Sequence, residues 1–527
     1  MSTVSGSKPG GSTSVFVRNA TGLVRELSPF DAFNLVFSAV LIPVGITQVF
    51  SFAPTFWPNA NVLISFLISI PLVFCFGMVY LYFTVAMPRS GGDYVWVSRV
   101  LGPGIGFVAN LALTFVFTTW ISFNFTTMMT LLVPSLGYVA GFTWNPNQLT
   151  QFLLATVLTI LFAGLMLLGT RRVARYMLYS FAIVWIGMAV WLIGLAITGH
   201  NAFVANFNAH SGTTISQVTS AASKAGFTAG STLDWAGTIF AMIYAFQVFT
   251  GFQWTGYFAG EIKNVRRTAT TSIIGALVIS AVLYVLATFL VYNTYGFSNF
   301  ASIAYLGFNT TNSPLGFAPY LPSLVKFLVL PGFLQIFVAL CFVLSVLWWT
   351  PTGFLIATRN IFAWSFDRLA PAGVANISDR LHTPVVATIV VAIWVELLNY
   401  MNIYLGLSAL LVNVIAVMAV AFIAVALAAI FMPYIRPNLF NAAPAMVRVR
   451  FAGIPLLTIV GVVMLISWAF VLYVAFTTTA FGQVAPQSML EAFAVPIAGV
   501  IYYVIVRIVR AQQGIQLKAA FQEIPPE

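Results

Sequence analysis

Few side chains in this chain could do chemistry, and the most informative ones lie inside a long apolar stretch. The segment FAMIYAFQVFTGFQWTGYFAGEIKNVRR (240–267) is long enough to cross a membrane, yet it places Thr250 and Gly251 near its centre. Inside lipid, irregular backbone occurs only where it lines a cavity or is buried in protein. A break at Phe249, Thr250 and Gly251 would free carbonyls and amides to face a ligand. The segment therefore indicates a binding site.

A second apolar stretch has a similar interruption. The segment FNLVFSAVLIPVGITQVFSF (33–52) carries Ile42, Pro43, Val44 and Gly45 near its middle. Proline removes a helix hydrogen bond and clashes with the preceding turn, so these four residues form a second candidate break. Either break alone could be a structural kink, because Gly and Pro are common in transmembrane helices.

The composition places both segments in a membrane. Of 527 residues, 60% are hydrophobic and 6% are charged, and the mean hydropathy is +0.98. Soluble globular proteins carry about 25% charged residues, so the chain is predicted to be an integral membrane protein in contact with lipid. The net charge of +11 is distributed in short groups between apolar runs. That distribution argues against nucleic-acid binding and fits the positive-inside rule.

About twelve apolar segments have the length of a membrane-spanning helix. A β-barrel is excluded, because its strands would be about ten residues long with strict alternation. The predicted spans are 31–54, 61–86, 101–133, 150–170, 175–198, 235–262, 269–294, 329–358, 383–403, 405–433, 453–479 and 488–509.

The two interrupted helices are spans 1 and 6, the first members of two sets of five. Paired interruptions at corresponding positions favour an inverted-repeat transporter with its site at the breaks. The chain is accordingly divided into two tails, a transporter domain, two repeats within that domain and a final helix pair. The tails are residues 1–27 (disordered, cytoplasmic) and 511–527 (cytoplasmic), and the transporter domain is 28–510. The two repeats cover about 31–198 and 235–433, and the final helix pair covers about 453–509.

The basic residues orient the spans. With a cytoplasmic N-terminus, only Lys224 and Lys326 lie on the outer side of the membrane. The other 20 of the 22 Lys and Arg lie on the cytoplasmic side. One missed helix would place many of these basic residues on the wrong side of the membrane. Their distribution therefore supports the span count and predicts a protein of the cell membrane with both termini cytoplasmic. Asn309 begins a glycosylation sequon, Asn309-Thr310-Thr311, on the predicted outer side.

Four stretches carry a family resemblance. They are LSPFDAFNLVFSAVLIPVG (27–45), MPRSGGDYVWVSRVLGPGIGF (87–107), FTGFQWTGYFAGEIKNVRR (249–267), and ATRNIFAWSFDRLAP with RLHTPVVATIV (357–371, 380–390). Together they resemble the amino acid–polyamine–organocation (APC) superfamily of transporters over roughly residues 25–510. The resemblance implies an all-α fold with a five-plus-five inverted repeat, discontinuous helices 1 and 6, and two additional C-terminal helices. It also implies secondary active transport of amino acids or related amines by alternating access.

The resemblance further implies where a substrate binds. In such folds the substrate carboxylate meets amides of the broken first helix, and its ammonium meets carbonyls of the first and sixth helices. The matching positions are Ile42, Pro43, Val44 and Gly45 in the first helix and Phe249, Thr250 and Gly251 in the sixth, with Phe246 or Phe249 as an aromatic gate. The chain departs from the family pattern in two ways: a single glycine remains at the first break, and Gln253 replaces a common acid.

Coupling to H⁺ or Na⁺ is left open by the sequence. Some relatives place a lysine in the fifth helix, where this chain aligns Val184. Thr350 and Thr352 could supply oxygen ligands to sodium or could bond to their own helix. Glu396 is the deepest intramembrane acid and so a functional candidate, although its place near Asn399 and the outer end argues against a proton relay.

Rival functions fit the sequence less well. A channel would need a continuous polar pore lining, and no span shows a repeated polar face. An enzyme would need a nucleophile–base or metal cluster, but the three histidines fall in loops on both faces, and no HExxH or GxSxG motif occurs. Cys75 and Cys341 lie in apolar runs. The sequence thus predicts no enzyme, no metal site and no cofactor, while a sensor on a transporter scaffold, or a permease for another small organic substrate, remains the alternative.

Overall fold

A computed structural model describes most of the chain. It covers residue 25 and residues 27–227, 233–309, 313–378, 383–406, 411–478, 486–517 and 521. The predicted N-terminal tail lies almost wholly outside the described residues, as do Thr310 and Thr311 of the predicted sequon.

Twelve helices among the described residues are long and apolar enough to cross a membrane, which confirms the predicted fold class and span count. Numbered in chain order, spans 1 to 12 are Pro29–Phe56, Val62–Ala86, Pro103–Ala140, Gln148–Leu167, Thr170–His210, Trp235–Glu261, Val265–Tyr295, Gly332–Phe366, Val385–Tyr404, Val414–Ile435, Leu456–Thr477 and Phe493–Gln512.

The other elements of the described residues are short and connect the spans. We call the helix Asp93–Val100, between spans 2 and 3, the loop helix. The others are helices at Ile215–Lys224, Phe297–Asn309, Leu321–Leu324 and Pro437–Ala442, 3₁₀ turns at Val325–Phe327 and Ala372–Ala375, and a hairpin pairing Arg450–Phe451 with Ile454–Pro455.

Span ends follow local hydrogen bonding more closely than hydropathy. Span 1 begins at a capping box in which the Ser28 hydroxyl accepts from the Asp31 amide and the Asp31 carboxylate accepts from the Ser28 amide. Span 5 continues to His210, twelve residues past its predicted end at Thr198, through a kink at Gly199 with φ 62°. Hydropathy falls where the chain leaves lipid, whereas helical hydrogen bonding continues beyond that point.

Three spans of the first predicted set pack on their counterparts in the second set. Span 2 packs on span 7, span 3 on span 8 and span 4 on span 9, while spans 10 and 11 pack on each other. Span 1 is central, since 89% of its most apolar window is buried within the protein, against 6% for span 12. The broken spans are thus enclosed by the others.

One face of the molecule is closed by buried ion pairs. We call the face at which span 1 begins the basic face, and the other the opposite face. On the basic face, Arg99 of the loop helix donates to both carboxylate oxygens of Asp367, just after span 8, at 2.6 and 2.9 Å. Both side chains are at most 3% exposed. The bidentate geometry fixes the loop helix against span 8.

This pair should be a strong stability determinant. Removing one partner leaves a buried charge uncompensated, which costs about 3–5 kcal/mol. Arg99→Ala is therefore expected to lower the melting temperature of the detergent-solubilised protein clearly. Arg450→Ala, at an exposed arginine whose guanidinium donates to the Gly453 carbonyl, is the control. Equal melting temperatures for the two variants would contradict the assigned role of the pair.

Candidate functional site

Span 1 is broken at its centre, slightly before the predicted position. A helix at Pro29–Val40 ends at Leu41, which adopts a left-handed conformation with φ 44° and ψ 52°, and a second helix runs over Ile42–Phe56. Pro43 lies in the first turn of the second helix, where its missing amide hydrogen costs no intrahelical bond. The proline therefore marks the start of the second half, and the irregular residue is the leucine before it.

Span 6 is broken where the sequence predicts it. The helix Met242–Phe249 gives way to an extended Thr250, then to Gly251 at φ 133°, and a 3₁₀ segment follows over Phe252–Glu261. A side chain strongly disfavours that φ value, which explains the glycine. The Gln253 side-chain oxygen accepts from the Gly251 amide at 2.7 Å. Gln253, the departure from the family pattern, thus satisfies a backbone group freed by the break.

The two breaks touch each other. A Cβ added to Gly251 would lie 2.5 Å from the Ala39 carbonyl carbon and 2.7 Å from the Val40 nitrogen. The hydroxyl of Tyr284, from span 7, lies 3.1 Å from the Val40 carbonyl oxygen and 3.5 Å from that of Val248. One buried hydroxyl therefore bridges carbonyls at the ends of both broken helices.

Half-helix ends of opposite polarity meet at this point. Pro29–Val40 and Met242–Phe249 both end here, and Ile42–Phe56 begins here without a side-chain cap. Helix ends leave amides or carbonyls without intrahelical partners. N-terminal ends attract anions and C-terminal ends attract cations. The arrangement is therefore suited to a small molecule that carries both charges.

A cavity lies at the breaks. Water centres can occupy about 50 Å³ of it, several times the roughly 10–15 Å³ that one water needs. Side-chain amides come from Gln48, Asn124 and Gln247, and the described lining residues include no ionisable group. The lining is Ala39, Val40, Leu41, Val44, Gly45, Gln48, Trp120, Phe123, Asn124, Gln247, Val248, Thr250 and Trp349.

The structure places the predicted binding residues in two groups. Val44, Gly45 and Thr250 line the cavity. Ile42 and Pro43 are buried in the first turn of the half-helix that carries Val44, and Gly251 lies in the contact between the breaks. These positions agree with a backbone-lined site, and their binding role stays a prediction.

The two predicted gate aromatics pack outside the cavity lining. The Phe246 ring lies 6.0 Å from that of Trp468 in span 11. The Phe249 ring contacts Phe66 and Tyr284 edge-on at 5.8 and 5.3 Å. Both are 1% exposed. The rings that do line the cavity are those of span 3 and span 8.

The predicted ion ligands Thr350 and Thr352 differ in their surroundings. Thr350 donates to the Val346 carbonyl of its own helix at 2.8 Å. The Thr352 hydroxyl lies 2.9 Å from that of Ser38 and 3.4 Å from the Leu35 carbonyl oxygen, both in span 1. Thr352 is thus the one of the two that links span 8 to a broken helix.

Glu396 lies between spans 4 and 9. Its carboxylate accepts hydrogen bonds from Thr156 and from Asn399, and Asn399 also donates to Thr159 at 3.0 Å. Glu396 does not line the central cavity. Its contacts join two helices, and a role in ion coupling stays a prediction.

The cavity is shut off from the basic face. Arg359 of span 8 donates to Glu261 at 2.6 and 2.9 Å, and both side chains are at most 3% exposed. Glu261 thus pairs with an arginine 98 positions away, although Lys263, Arg266 and Arg267 are close to it in the chain. The Leu27 amide bonds the Glu261 carbonyl, and the Lys263 amide bonds the Leu27 carbonyl. These contacts tie the start of span 1 to the end of span 6.

The cavity walls contain residues that the sequence did not indicate. Trp120, Phe123 and Asn124 come from span 3 and Trp349 from span 8. Within their own spans they are ordinary members of apolar stretches. Asn124 is the single residue with a usable signal, as a polar side chain in the middle of a span.

Sequence comparisons agree with this geometry. The chain matches the amino acid permease family over residues 27–506. It is 23% identical over 338 residues to the branched-chain amino acid permease BcaP of Lactococcus lactis subsp. cremoris (strain MG1363), covering 61% of this chain and 64% of that protein. It is 24% identical over 399 residues to uncharacterized protein 399 of Sulfolobus islandicus rod-shaped virus 1, covering 75% and 77%. The chain thus spans just under two thirds of the length of the permease it matches.

The close approach of the two breaks is open to a direct test. Gly251→Ala forces a methyl group against the span 1 backbone and imposes an unfavourable φ, a combined penalty of about 2–4 kcal/mol. A lower melting temperature is expected for the purified variant. Gly316→Ala, whose added Cβ meets open space, is the matched control. Wild-type stability of Gly251→Ala would show that the breaks are not in contact.

Proposed function

The chain belongs to the amino acid permease family, and on that premise we propose that it is a secondary active transporter that moves amino acids across the membrane by alternating access. One observation carries the proposal: half-helix ends of opposite polarity meet at a single cavity in the middle of the bundle. That arrangement matches the two opposite charges of an α-amino acid.

The broken helices divide the binding of the two charged groups. The substrate carboxylate binds at the uncapped N-terminus of Ile42–Phe56, near the amide of Val44, since the Gly45 amide already donates to the Leu41 carbonyl. The ammonium group binds at the C-terminal ends of Pro29–Val40 and Met242–Phe249, beside Thr250. Each group then replaces water with backbone dipoles that are already oriented, which limits the reorganisation needed on binding.

The substrate side chain is neutral and largely apolar. A cationic or acidic side chain would need a buried counter-charge, and the described cavity lining offers none. Trp120, Phe123, Val44 and Val248 form an apolar wall instead. The printed name of the lactococcal relative, a branched-chain amino acid permease, supports this class.

The described conformation is closed at the basic face by the Glu261–Arg359 pair and the Leu27 contacts. The cavity draws on Gln48 and Gln247, from the half-helices that lead to the opposite face. We propose that the basic face is cytoplasmic, that the protein resides in the cell membrane, and that substrate enters from outside. Breaking the contacts on the basic face would then release it inward.

One candidate site for ion coupling lies between a broken helix and span 8. Thr352, Ser38 and the Leu35 carbonyl place three oxygens close together. We propose this cluster as the first place to look for a sodium effect. Thr350 and Glu396 stay weaker candidates because their described partners are, respectively, their own helix and a neighbouring span.

Transport is tested with purified protein in liposomes. Radiolabelled leucine is expected to accumulate under an imposed H⁺ or Na⁺ gradient, or to exchange with preloaded leucine. Unlabelled isoleucine, valine and phenylalanine should compete, whereas lysine, glutamate and putrescine should not. Binding of leucine without accumulation or exchange would favour a sensor. The absence of both leucine binding and leucine movement would overturn the proposal.

The contribution of the cavity wall to substrate affinity can also be tested. Trp120→Ala removes apolar area from the side-chain wall, and a loss of about 1.4 kcal/mol corresponds to tenfold weaker apparent affinity. The KM for leucine is expected to rise about tenfold. Trp235→Ala, at a tryptophan that is 58% exposed, should leave the KM unchanged. Equal effects in the two variants would remove Trp120 from the proposed site.

A further inference from the structure

A carboxylate in the loop helix is buried among neutral hydrogen-bond donors. Asp93 is 1% exposed. Its carboxylate accepts from Tyr257 of span 6 at 2.6 Å, from Asn110 of span 3 at 2.6 Å and from Tyr80 of span 2 at 3.1 Å. The Asn110 oxygen accepts in turn from Trp364 of span 8 at 2.7 Å. Three spans therefore converge on one carboxyl group, and a fourth is linked to it through Asn110.

Two buried arginines of the basic face are paired with other acids, and Arg89, four residues before Asp93, donates to the Pro88 carbonyl. Arg99, on the same loop helix, pairs with Asp367. Arg359, on span 8, pairs with Glu261. Span 10 also packs on the loop helix, and its sequence between residues 414 and 435 contains no Asp, Glu, Lys, Arg or His. Within the described part of the chain, the groups that donate to the Asp93 carboxylate are thus two tyrosine hydroxyls, one side-chain amide and the Tyr94 backbone amide.

Burial without a counter-charge favours the protonated acid. Desolvation raises the pKa of Asp93 to about 6, even though the bonds from Tyr257, Asn110 and Tyr80 lower it. An ordinary aspartate in water has a pKa near 3.9. Exposure of this carboxyl group to water would therefore make it a stronger acid.

The contact that buries Asp93 belongs to a segment that has to move in alternating access. Tyr257 lies in the 3₁₀ segment Phe252–Glu261, the basic-face half of span 6. The Gly91 amide also donates to the Tyr257 carbonyl at 3.0 Å. Displacing this segment would take away the shortest tyrosine bond and open the carboxylate to water.

We propose that Asp93 is a proton-binding site linked to opening of the basic face. In acidic solution it holds a proton while Tyr257 lies against it, and it releases that proton to water on the basic face when the segment moves away. The proposal rests on the alternating access proposed above. It requires no cofactor, since the proton passes only between the carboxylate and water.

The direction of the pH effect follows from the two states. The closed state has the higher pKa, so it binds the proton more tightly and is favoured as the pH falls through about 6. Above that pH the linkage disappears, because the carboxyl group is ionised in both states. With pKa values of about 6 and about 3.9, the ratio of open to closed protein falls about tenfold between about pH 7.5 and about pH 5.

The first test is leucine exchange in liposomes at equal pH on both sides, which removes any driving gradient. Wild-type exchange is expected to fall about tenfold between about pH 7.5 and about pH 5, with a midpoint near 6. Asp93→Asn should flatten the profile. Asp234→Asn, a helix-capping aspartate on the opposite face that asparagine can replace, should keep the wild-type profile. An unchanged profile in Asp93→Asn would overturn the proposal.

A second variant covers the case in which Asp93→Asn does not fold. Tyr257→Phe keeps the carboxylate and removes a bond that lowers its pKa, so the midpoint should move to higher pH. The control is Tyr295→Phe, at a buried tyrosine of span 7 whose hydroxyl makes no described hydrogen bond. A midpoint that stays in place, or moves to lower pH, in Tyr257→Phe would contradict the assignment.

An infrared measurement separates this inference from the transport proposal. Lowering the pH should produce a protonated carboxyl band that titrates near pH 6 and is missing in Asp93→Asn. That band without any leucine exchange would support the proton site while the transport proposal fails. Exchange without the band would leave the transport proposal standing and overturn the proton site.

Discussion

A backbone group at the centre of a membrane must find its partner inside the protein, and the architecture of this chain depends on that constraint. Two helices are broken at mid-depth, which exposes amides and carbonyls where no bulk water can satisfy them. In the structure the two breaks are in contact with each other. Gly251 lets the backbones meet, Gln253 accepts from the glycine amide, and the Tyr284 hydroxyl serves carbonyls from both helices. Residues of both breaks, among them Leu41, Val44 and Thr250, line the cavity between them.

The sequence predicts the spans and the second break well because the physical signals are local. A run of about twenty apolar residues has few alternatives to a membrane helix. Gly251 marks its break because few other residues adopt its φ value. The first break is different, since its irregular residue is Leu41, an amino acid with no preference for left-handed backbone. Pro43 signals only that a helix begins nearby, and the sequence prediction therefore places the break one residue late.

Long-range packing explains what the sequence could not provide. Trp120 and Trp349 become cavity walls only when spans 3 and 8 pack around the breaks. Glu261 has basic residues close to it in the chain, yet its partner is Arg359, 98 positions away. Asp93 is the clearest example, because it lies in a short polar stretch that hydropathy reads as a solvated loop. Its burial arises only when spans 2, 3 and 6 pack around it.

The two acids that hold the basic-face half of span 6 differ in how they are compensated, and this difference gives them different tasks. Glu261 is matched by Arg359 in a bidentate pair, so its contribution depends mainly on geometry, and the proposed alternating access would separate the two charges when the basic face opens. Asp93 is held by neutral donors, so its contribution depends on how much water reaches it. If the ion pair alone stabilised the closed basic face, that stability would depend on the distance between the two charges and only weakly on pH. In the proposed proton-binding role of Asp93, an uncompensated acid against Tyr257 would let the same movement change a proton affinity, so that opening would depend on the pH of the compartment at the basic face.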